Sequence, residues 1–288
     1  MKLVSPNFAD LYQPNIEIGQ FPDRDSHIRI PELSSYENRD VTVFHRLYPK
    51  QNTALIELFV IIDALKSIGA RVTAVCPYLP YARQDKQTAD GELTTASALA
   101  RLFAGLGLMK LITFDCHFLN QEGEVNYHGL VIQNISMGDA LIEHARTNFG
   151  GEAFQIIGPD AGANYLVKGA GGKSLSKVRK NYVQDKIAYR NIESLDGEFD
   201  VKDQNVLLLD DMISTGSTML EALNKLRKNG AKKIMCAATH GLFLFDSLSK
   251  LGKLADFIFA TDSITSLNSN ISIKDKLAGL DSAAPTLL

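Results

Sequence analysis

The feature that most constrains this chain is an alternation running through nearly its whole length, in which short apolar runs are followed by segments of helical periodicity. Val41–Phe44, Arg71–Pro77 and Leu111–Phe114 read as strands, with helices expected at Ala54–Ser67 and Thr95–Leu106 between them. After Gly129-Leu130-Val131-Ile132, a helix at Met137–Asn148 opens a second series. There Phe154–Gly158, Lys186–Arg190, Val206–Leu209, Lys233–Ala238 and Ile258–Ala260 are strands, and Met219–Lys228 is a helix. Such alternation predicts an α/β fold whose parallel sheets are covered by helices on both faces. Ligands in these sheets collect at the carboxyl ends of strands.

The two series are similar in length and order and meet near residue 135, although no residue-level repeat relates them. Two domains are therefore expected, 1–135 and 136–273. A tail over 274–288 remains, in which Lys274 to Leu280 suit a helix and which is a candidate to pack on the N-terminal domain. The segment Lys168-Gly169-Ala170-Gly171-Gly172-Lys173-Ser174-Leu175-Ser176-Lys177 is Gly-rich and basic without a hydrophobic period, and reads as a mobile loop.

The chain has 288 residues, 45% of them hydrophobic and 22% charged, and a net charge of −3, so neither nucleic acid nor an anionic membrane is an expected general partner. Met1 to Pro6 lack the apolar core of a signal peptide. The most apolar window, Leu55 to Leu65, is broken by Glu57 and Asp63, so no membrane span is expected. Cys76, Cys116 and Cys236 lie in or beside apolar runs without C-x-x-C spacing, which suits reduced thiols in a cytoplasmic protein.

The most informative stretch is Asn205 to Thr218. An apolar strand ends in Asp210-Asp211, a small hydroxyl-rich loop follows, and an amphipathic helix begins with Leu220, Leu223 and Leu226 on one face. Backbone N–H groups and hydroxyls at a helix N-terminus can cradle a phosphate monoester. Two carboxylates at a strand end can meet sugar hydroxyls or a hydrated Mg²⁺. A phosphorylated sugar is the indicated ligand. The glycine spacing is not that of a P-loop, and no Lys follows Gly216.

Three further polar clusters follow strand-like runs: Pro77-Tyr78-Leu79-Pro80-Tyr81-Ala82-Arg83-Gln84-Asp85-Lys86, Asp115-Cys116-His117, and Gly158-Pro159-Asp160-Ala161-Gly162-Ala163. Each alone has an ordinary structural explanation, such as Asp160 capping a helix or His117 hydrogen-bonded in a core. Four such clusters at strand ends point together to a site.

These residues closely resemble the ribose-phosphate diphosphokinases, or phosphoribosyl pyrophosphate (PRPP) synthases, from about Phe21 to about Ser263. The loop Asp210 to Thr218 would suit any type I phosphoribosyltransferase, whereas the tyrosine-bracketed Arg83-Gln84-Asp85 segment belongs to the synthases. The resemblance implies two tandem phosphoribosyltransferase-like domains, the first on the ATP side and the second on the ribose 5-phosphate side, with the active site between them. It implies transfer of the β,γ-diphosphoryl group of ATP to the C1 hydroxyl of ribose 5-phosphate, giving PRPP and AMP, with Mg²⁺ as cofactor.

Carried over by motif, Ser214, Thr215, Gly216, Ser217 and Thr218 hold the 5-phosphate, Asp210 meets the ribose hydroxyls, and Asp211 supports Mg²⁺ or the loop. Arg83, Gln84 and His117 contact ATP. His117, Asp160 and Asp115 form the metal set. Lys177 and Arg179 match a catalytic Lys-x-Arg. Phe21, Asp23 and Asp25 match a segment that reaches a neighbouring subunit's adenine, so a homodimer or larger homo-oligomer is implied. The chain departs from the family where Arg24 and Asp25 stand in place of Gly and Glu. Ser214, in place of the Asp of many members, resembles the archaeal-type branch. The competing expectations are a phosphoribosyltransferase that consumes PRPP and a catalytically silent synthase-like regulatory subunit.

Overall fold

A computed structural model describes residues 1–159, 164–168, 171–184, 187–196 and 200–278, with backbone alone at 164, 168, 176–184 and 187–196. The chain divides into two compact units, Met1–Ile135 and Ser136–Leu288.

The first unit runs β1 (Lys2–Val4), β2 (Glu17–Gln20), β3 (Ser26–Arg29), β4 (Asp40–Phe44), α1 (Gln51–Ser67), β5 (Arg71–Val75), α2 (Thr95–Gly105), β6 (Lys110–Phe114), β7 (Gly123–Tyr127) and β8 (Leu130–Ile135). Among the described residues, one six-stranded sheet has the order β1-β4-β5-β6-β8-β7. All its pairings are parallel except β7 with β8. β7 and β8 are joined through His128 and Gly129, whose φ values of 50° and 89° suit a tight hairpin turn. The strands β2 and β3 form a separate antiparallel hairpin.

The helix α1 buries Ala54, Leu55, Leu58, Ile61, Ile62 and Leu65, positions that recur at three- and four-residue spacing. They join Val41, Val43, Val72 and Ala74 of the sheet in one core cluster. Each fully buried Leu or Ile contributes about 1.5–3 kcal/mol, enough to anchor the helix across the sheet. Phe103 of α2 meets Phe59 of α1 edge-on, with ring centres 5.1 Å apart.

The second unit runs α3 (Gly138–Asn148), β9 (Phe154–Gly158), α4 (Asn164–Lys168), β10 (Lys173–Ser174), β11 (Ser176–Gln184), β12 (Ile187–Asp196), β13 (Asn205–Ile213), α5 (Ser217–Lys228), β14 (Lys233–Gly241), α6 (Ser247–Leu251), β15 (Phe257–Thr261), β16 (Ser269–Ile271) and α7 (Lys274–Ala278). Its sheet has the order β10-β9-β13-β14-β15-β16 and every pairing is parallel. The central strand β13 is buried at every position, as a strand covered on both faces must be. The α/β class read from the sequence, with parallel sheets, is the observed one.

The Gly-rich basic segment departs from expectation. Lys173–Ser174 add a short strand beside Ile157 and Gly158 of β9, and Leu175 is buried. From Ser176 the chain forms β11, paired antiparallel with β12 over Ser176–Gln184 and Ile187–Asp196. Lys177 and Arg179 therefore sit on a two-stranded ribbon rather than on an irregular loop. The glycines and the density of cations hide the strand-forming Val178, Tyr182 and Val183, whose partners include Ala188 and Tyr189. Tertiary pairing overrides the local signal. The helix expected over Lys274–Leu280 spans Lys274–Ala278, and the remainder of the tail lies outside the described residues.

Candidate active site

In the second unit, β13 does not stop at the carboxylates but continues through Asp210 and Asp211 to Ile213. Both Asp residues are buried, and the Asp211 N–H donates to Asp210 Oδ1 at 3.0 Å. Only Ser214, Thr215 and Gly216 separate the strand from α5, which begins at Ser217 rather than at Met219.

The turn is possible because Gly216 sits at φ 75°, a left-handed conformation that other residues adopt at a cost. Gly216 takes the N-cap position of α5 and, having no side chain, makes no side-chain cap bond there. The N–H groups of a first turn have no partner within the helix, so the loop and the helix start present donors and a positive dipole end. Thr215 and Ser217 are exposed, with their hydroxyls 3.3 Å apart. Ser214 and Thr218 are half-buried. Met219, Ala222, Leu223 and Leu226 bury the opposite face of the helix. The arrangement is a small anion cradle next to two carboxylates.

In the first unit, β5 and β6 are neighbours and parallel, so the segments after them leave the same edge of the sheet. The link from Cys76 to Thr94 is long. Its first part is buried and tied to β6: Cys76 N–H donates to Ile112 O at 2.9 Å, and Phe114 N–H donates to Pro77 O at 3.2 Å. Tyr81 turns the chain at φ 63°, and its hydroxyl donates to Asn52 Oδ1. Gln84 is held by its N–H donating to Tyr81 O at 2.8 Å and by the Thr95 hydroxyl donating to its Oε1 at 2.5 Å. Arg83 is exposed and has no ion-pair partner among the described residues.

After β6, Asp115 adopts φ 33° and is fully buried, with its N–H donating to Ile135 O at 3.0 Å. Cys116 N–H donates to Asn134 Oδ1 at 2.8 Å, and His117 is half-buried. The structure thus brings Arg83, Gln84, Asp115 and His117 to one edge of the first sheet. Asp160 lies outside the described residues, as do the side chains of Lys177 and Arg179.

Phe21, Asp23 and Asp25 occupy the exposed tip of the β2–β3 hairpin. Phe21 is 51% exposed and meets His27 edge-on at 5.0 Å. The tip closes with Phe21 N–H donating to Asp25 O at 2.8 Å and Arg24 N–H to Phe21 O at 2.9 Å. Arg24 has φ 77°, a geometry that suits glycine.

Two histidines with no role in the sequence reading are structurally informative. His45, at the end of β4, is fully buried between Ser5 Oγ (2.7 Å) and Ala54 O (3.0 Å). Burial holds its pKa down at about 4, outweighing the hydrogen bond to Ala54 O, so the ring is neutral, with the Glu57 carboxylate 3.8 Å from Nε2. The Nε2–H donates to Ala54 O, and Nδ1 accepts from Ser5. His240 is the penultimate residue of β14, in register with Met212 near the end of β13. The signal for both was only their position next to an apolar run.

The three cysteines are buried thiols. Burial pushes Cys236 up to about 12 and Cys76 higher still, which leaves both inert as nucleophiles. Among the described residues, no group of three His, Cys, Asp or Glu side chains is arranged to hold a metal, and no helix is long and apolar enough to cross a membrane.

Comparison with known proteins adds an independent line. Residues 8–107 match the family model for the N-terminal domain of ribose phosphate pyrophosphokinase, and residues 138–256 match that for the phosphoribosyl transferase domain. The chain is 32% identical over 267 residues to the ribose-phosphate pyrophosphokinase of Pyrococcus abyssi, covering 92% of this chain and 90% of that one. With the Pyrococcus furiosus protein of the same name the identity is 33%, covering 92% of each. The crystal structure of phosphoribosylpyrophosphate synthetase from Mycobacterium smegmatis superposes with a TM-score of 0.81 over 97% of this chain and 96% of that chain. At 23% identity, that likeness speaks for the fold.

Proposed function

This chain belongs to the ribose-phosphate pyrophosphokinase family, and from that premise we propose how its residues divide the work of the reaction. The protein is a ribose-phosphate diphosphokinase, which makes PRPP and AMP from ATP and ribose 5-phosphate. The observation that carries this is the tandem match, in which both halves fit the family in the right order.

Ribose 5-phosphate belongs to the second unit. Ser214, Thr215, Gly216, Ser217 and Thr218 take the 5-phosphate, since a helix end started by glycine supplies N–H donors and hydroxyls with no cap from the N-cap residue itself. Asp210 accepts hydrogen bonds from the ribose hydroxyls, and Asp211 supports the loop. ATP belongs to the first unit, where the exposed Arg83 offers a two-pronged cation to phosphate oxygens and Gln84 is already held in place. His117 hydrogen-bonds the nucleotide. Phe21, Asp23 and Asp25, on an exposed hairpin tip, complete the adenine pocket of a second copy, so the working enzyme is a homo-oligomer, a homodimer or larger.

The C1 hydroxyl oxygen of ribose 5-phosphate forms a bond to the β-phosphorus of ATP and gives up its proton. The bond between that phosphorus and the α,β-bridging oxygen breaks, and AMP leaves. Diphosphoryl transfer asks the protein mainly for alignment and charge neutralisation. Lys177 and Arg179 supply the cations at the transferring group, Arg as a planar fork and Lys as a point charge.

The donor chemistry suits Mg²⁺, which takes one or two carboxylates and otherwise waters and substrate phosphates rather than a closed protein cage. Asp115, Asp160 and His117 would hold it, directly or through water, and it would neutralise phosphate charge. The proposal includes a cytoplasmic location, in keeping with three buried thiols.

The test is incubation of the purified protein with ATP, ribose 5-phosphate and Mg²⁺, with AMP and PRPP measured. Equal amounts of both should accumulate. Formation of a nucleotide from PRPP and a base, without AMP production from ATP, would instead establish a phosphoribosyltransferase, and inactivity in both assays a silent regulatory homologue.

A further inference from the structure

The segment that follows β14 is joined to the phosphate loop more tightly than adjacency in the sheet requires. Leu242 and Phe243 both donate their N–H groups to Ile213 O, at 3.0 and 3.1 Å, and Leu244 N–H donates to Ser214 O at 3.0 Å. The strand end and the first loop residue are therefore held by consecutive donors from one segment. Phe243 itself has φ 45°, an unusual conformation for an aromatic residue, of the kind that persists where surrounding structure enforces it.

Two features hold this segment in place. On the β15 side, the ladder shifts register between Ala238 and His240. Side chains bridge the irregularity: the Thr261 and Ser263 hydroxyls both donate to Thr239 O, at 2.7 and 2.8 Å. Because the Ser263 hydroxyl proton is committed there, its oxygen accepts from His240, whose Nδ1 lies 2.9 Å away. That bond fixes the His240 tautomer. At the end of β14 itself, Gly241 leaves no room for a side chain. A Cβ there would stand 2.4 Å from the Phe243 ring and 2.9 Å from the Ala260 methyl.

We infer that His240–Leu244 is the template that shapes the ribose-phosphate loop, with Gly241 and the His240–Ser263 pair as positioning residues for substrate binding. The inference rests on the assignment of Ser214–Thr218 to ribose 5-phosphate. These residues act through Ile213 and Ser214, not by touching substrate. Gly241 is small because the Phe243 ring must lie over it for the Leu242 and Phe243 donors to reach Ile213 O. A displaced Ile213 carbonyl re-aims Ser214 and Thr215, and anion cradles tolerate little misplacement.

Calorimetric titration with ribose 5-phosphate alone, together with steady-state KM values for both substrates, tests this in wild type, Gly241→Ala and Ser263→Ala. Ser263→Ala removes an acceptor and a donor without adding volume, so it decides the matter if Gly241→Ala fails to fold. Both variants should bind ribose 5-phosphate at least about tenfold more weakly, a change of about 1.4 kcal/mol. KM for ATP should change less than about twofold, well inside what a single lost contact produces. Ribose 5-phosphate binding unchanged in a folded variant, or weakened equally with ATP, overturns the inference. Wild type that fails to bind ribose 5-phosphate overturns the site assignment instead.

Discussion

The two units solve the same strand-to-helix connection in opposite ways. In the second unit, β13 passes to α5 through Ser214, Thr215 and Gly216 alone. In the first unit, the corresponding passage from β5 to α2 runs from Cys76 to Thr94. A tight link leaves few conformations and aims N–H donors at one point, which suits a compact phosphate. A long link, buried at its start and mostly exposed from Arg83 onward, spreads polar groups over an area that suits a nucleotide. In the proposed division of substrates, one scaffold serves two ligands by changing loop length at its carboxyl edge.

If this contrast is right, the cations of the β11–β12 ribbon serve chemistry rather than either binding surface. Lys177→Ala should lower kcat by about 10²–10³-fold, the size seen for loss of one transition-state donor. Ribose 5-phosphate binding, measured by calorimetry, should survive. Near-normal turnover would remove the ribbon from the mechanism.

Acid sensitivity should show in the first unit, where His45 is buried in neutral form just after β4. His45 has a folded pKa of about 4 against 6.5 in an unfolded chain. Its stabilising contribution is complete above the unfolded value and is lost as pH falls from about 6.5 towards 4, in total about 3 kcal/mol. Denaturant titrations across that window should show this loss in wild type and a smaller one in His45→Gln. Identical pH slopes would mean that other groups govern acid unfolding.

The division of substrates can be split by a pair of substitutions. Thr218→Ala should raise KM for ribose 5-phosphate about tenfold with little effect on ATP, and Arg83→Ala should do the reverse, each losing roughly one charge-assisted hydrogen bond. If both variants weaken both substrates equally, the contrast between the short and long links has no functional meaning.

The smallest effect concerns the hairpin tip. Arg24→Gly relieves a left-handed conformation at φ 77° and should stabilise the β2–β3 pairing by about 1 kcal/mol. Amide exchange at Gly19 and His27, which face each other at a hydrogen-bonding position of the ladder, reads this directly. Unchanged or faster exchange would show that Arg24 makes compensating contacts.

Most of the architecture was legible because apolar runs and helical periods report burial locally. The runs at Val41–Phe44, Phe154–Gly158 and Val206–Leu209 all became strands of the central sheets. The strands that escaped, β1, β2, β3, β7, β10, β11 and β16, are short, lie at sheet edges or belong to a two-stranded hairpin or ribbon, and gain stability mainly from pairing. The His128-Gly129 turn was a usable cue to β7, since both residues tolerate positive φ. At the site, Arg83, His117 and Asp210 stood out because polar groups after apolar strands are conspicuous. His45, Gly241 and Ser263 did not, because their roles lie in hydrogen bonds and close approaches between residues far apart in the chain.

What the amino-acid order determined unaided was the alternation of elements, the polar clusters at strand ends and the glycine that starts α5. These depend on neighbours within a few positions, where steric and periodic rules act. Strand order, the extension of β13 to Ile213, the ribbon carrying Lys177 and Arg179, and the clamp of Leu242, Phe243 and Leu244 on the phosphate loop were decided by tertiary structure. Backbone donors and buried surface find those partners only when distant segments pack, and local sequence carries no record of which distant carbonyl will be there to accept.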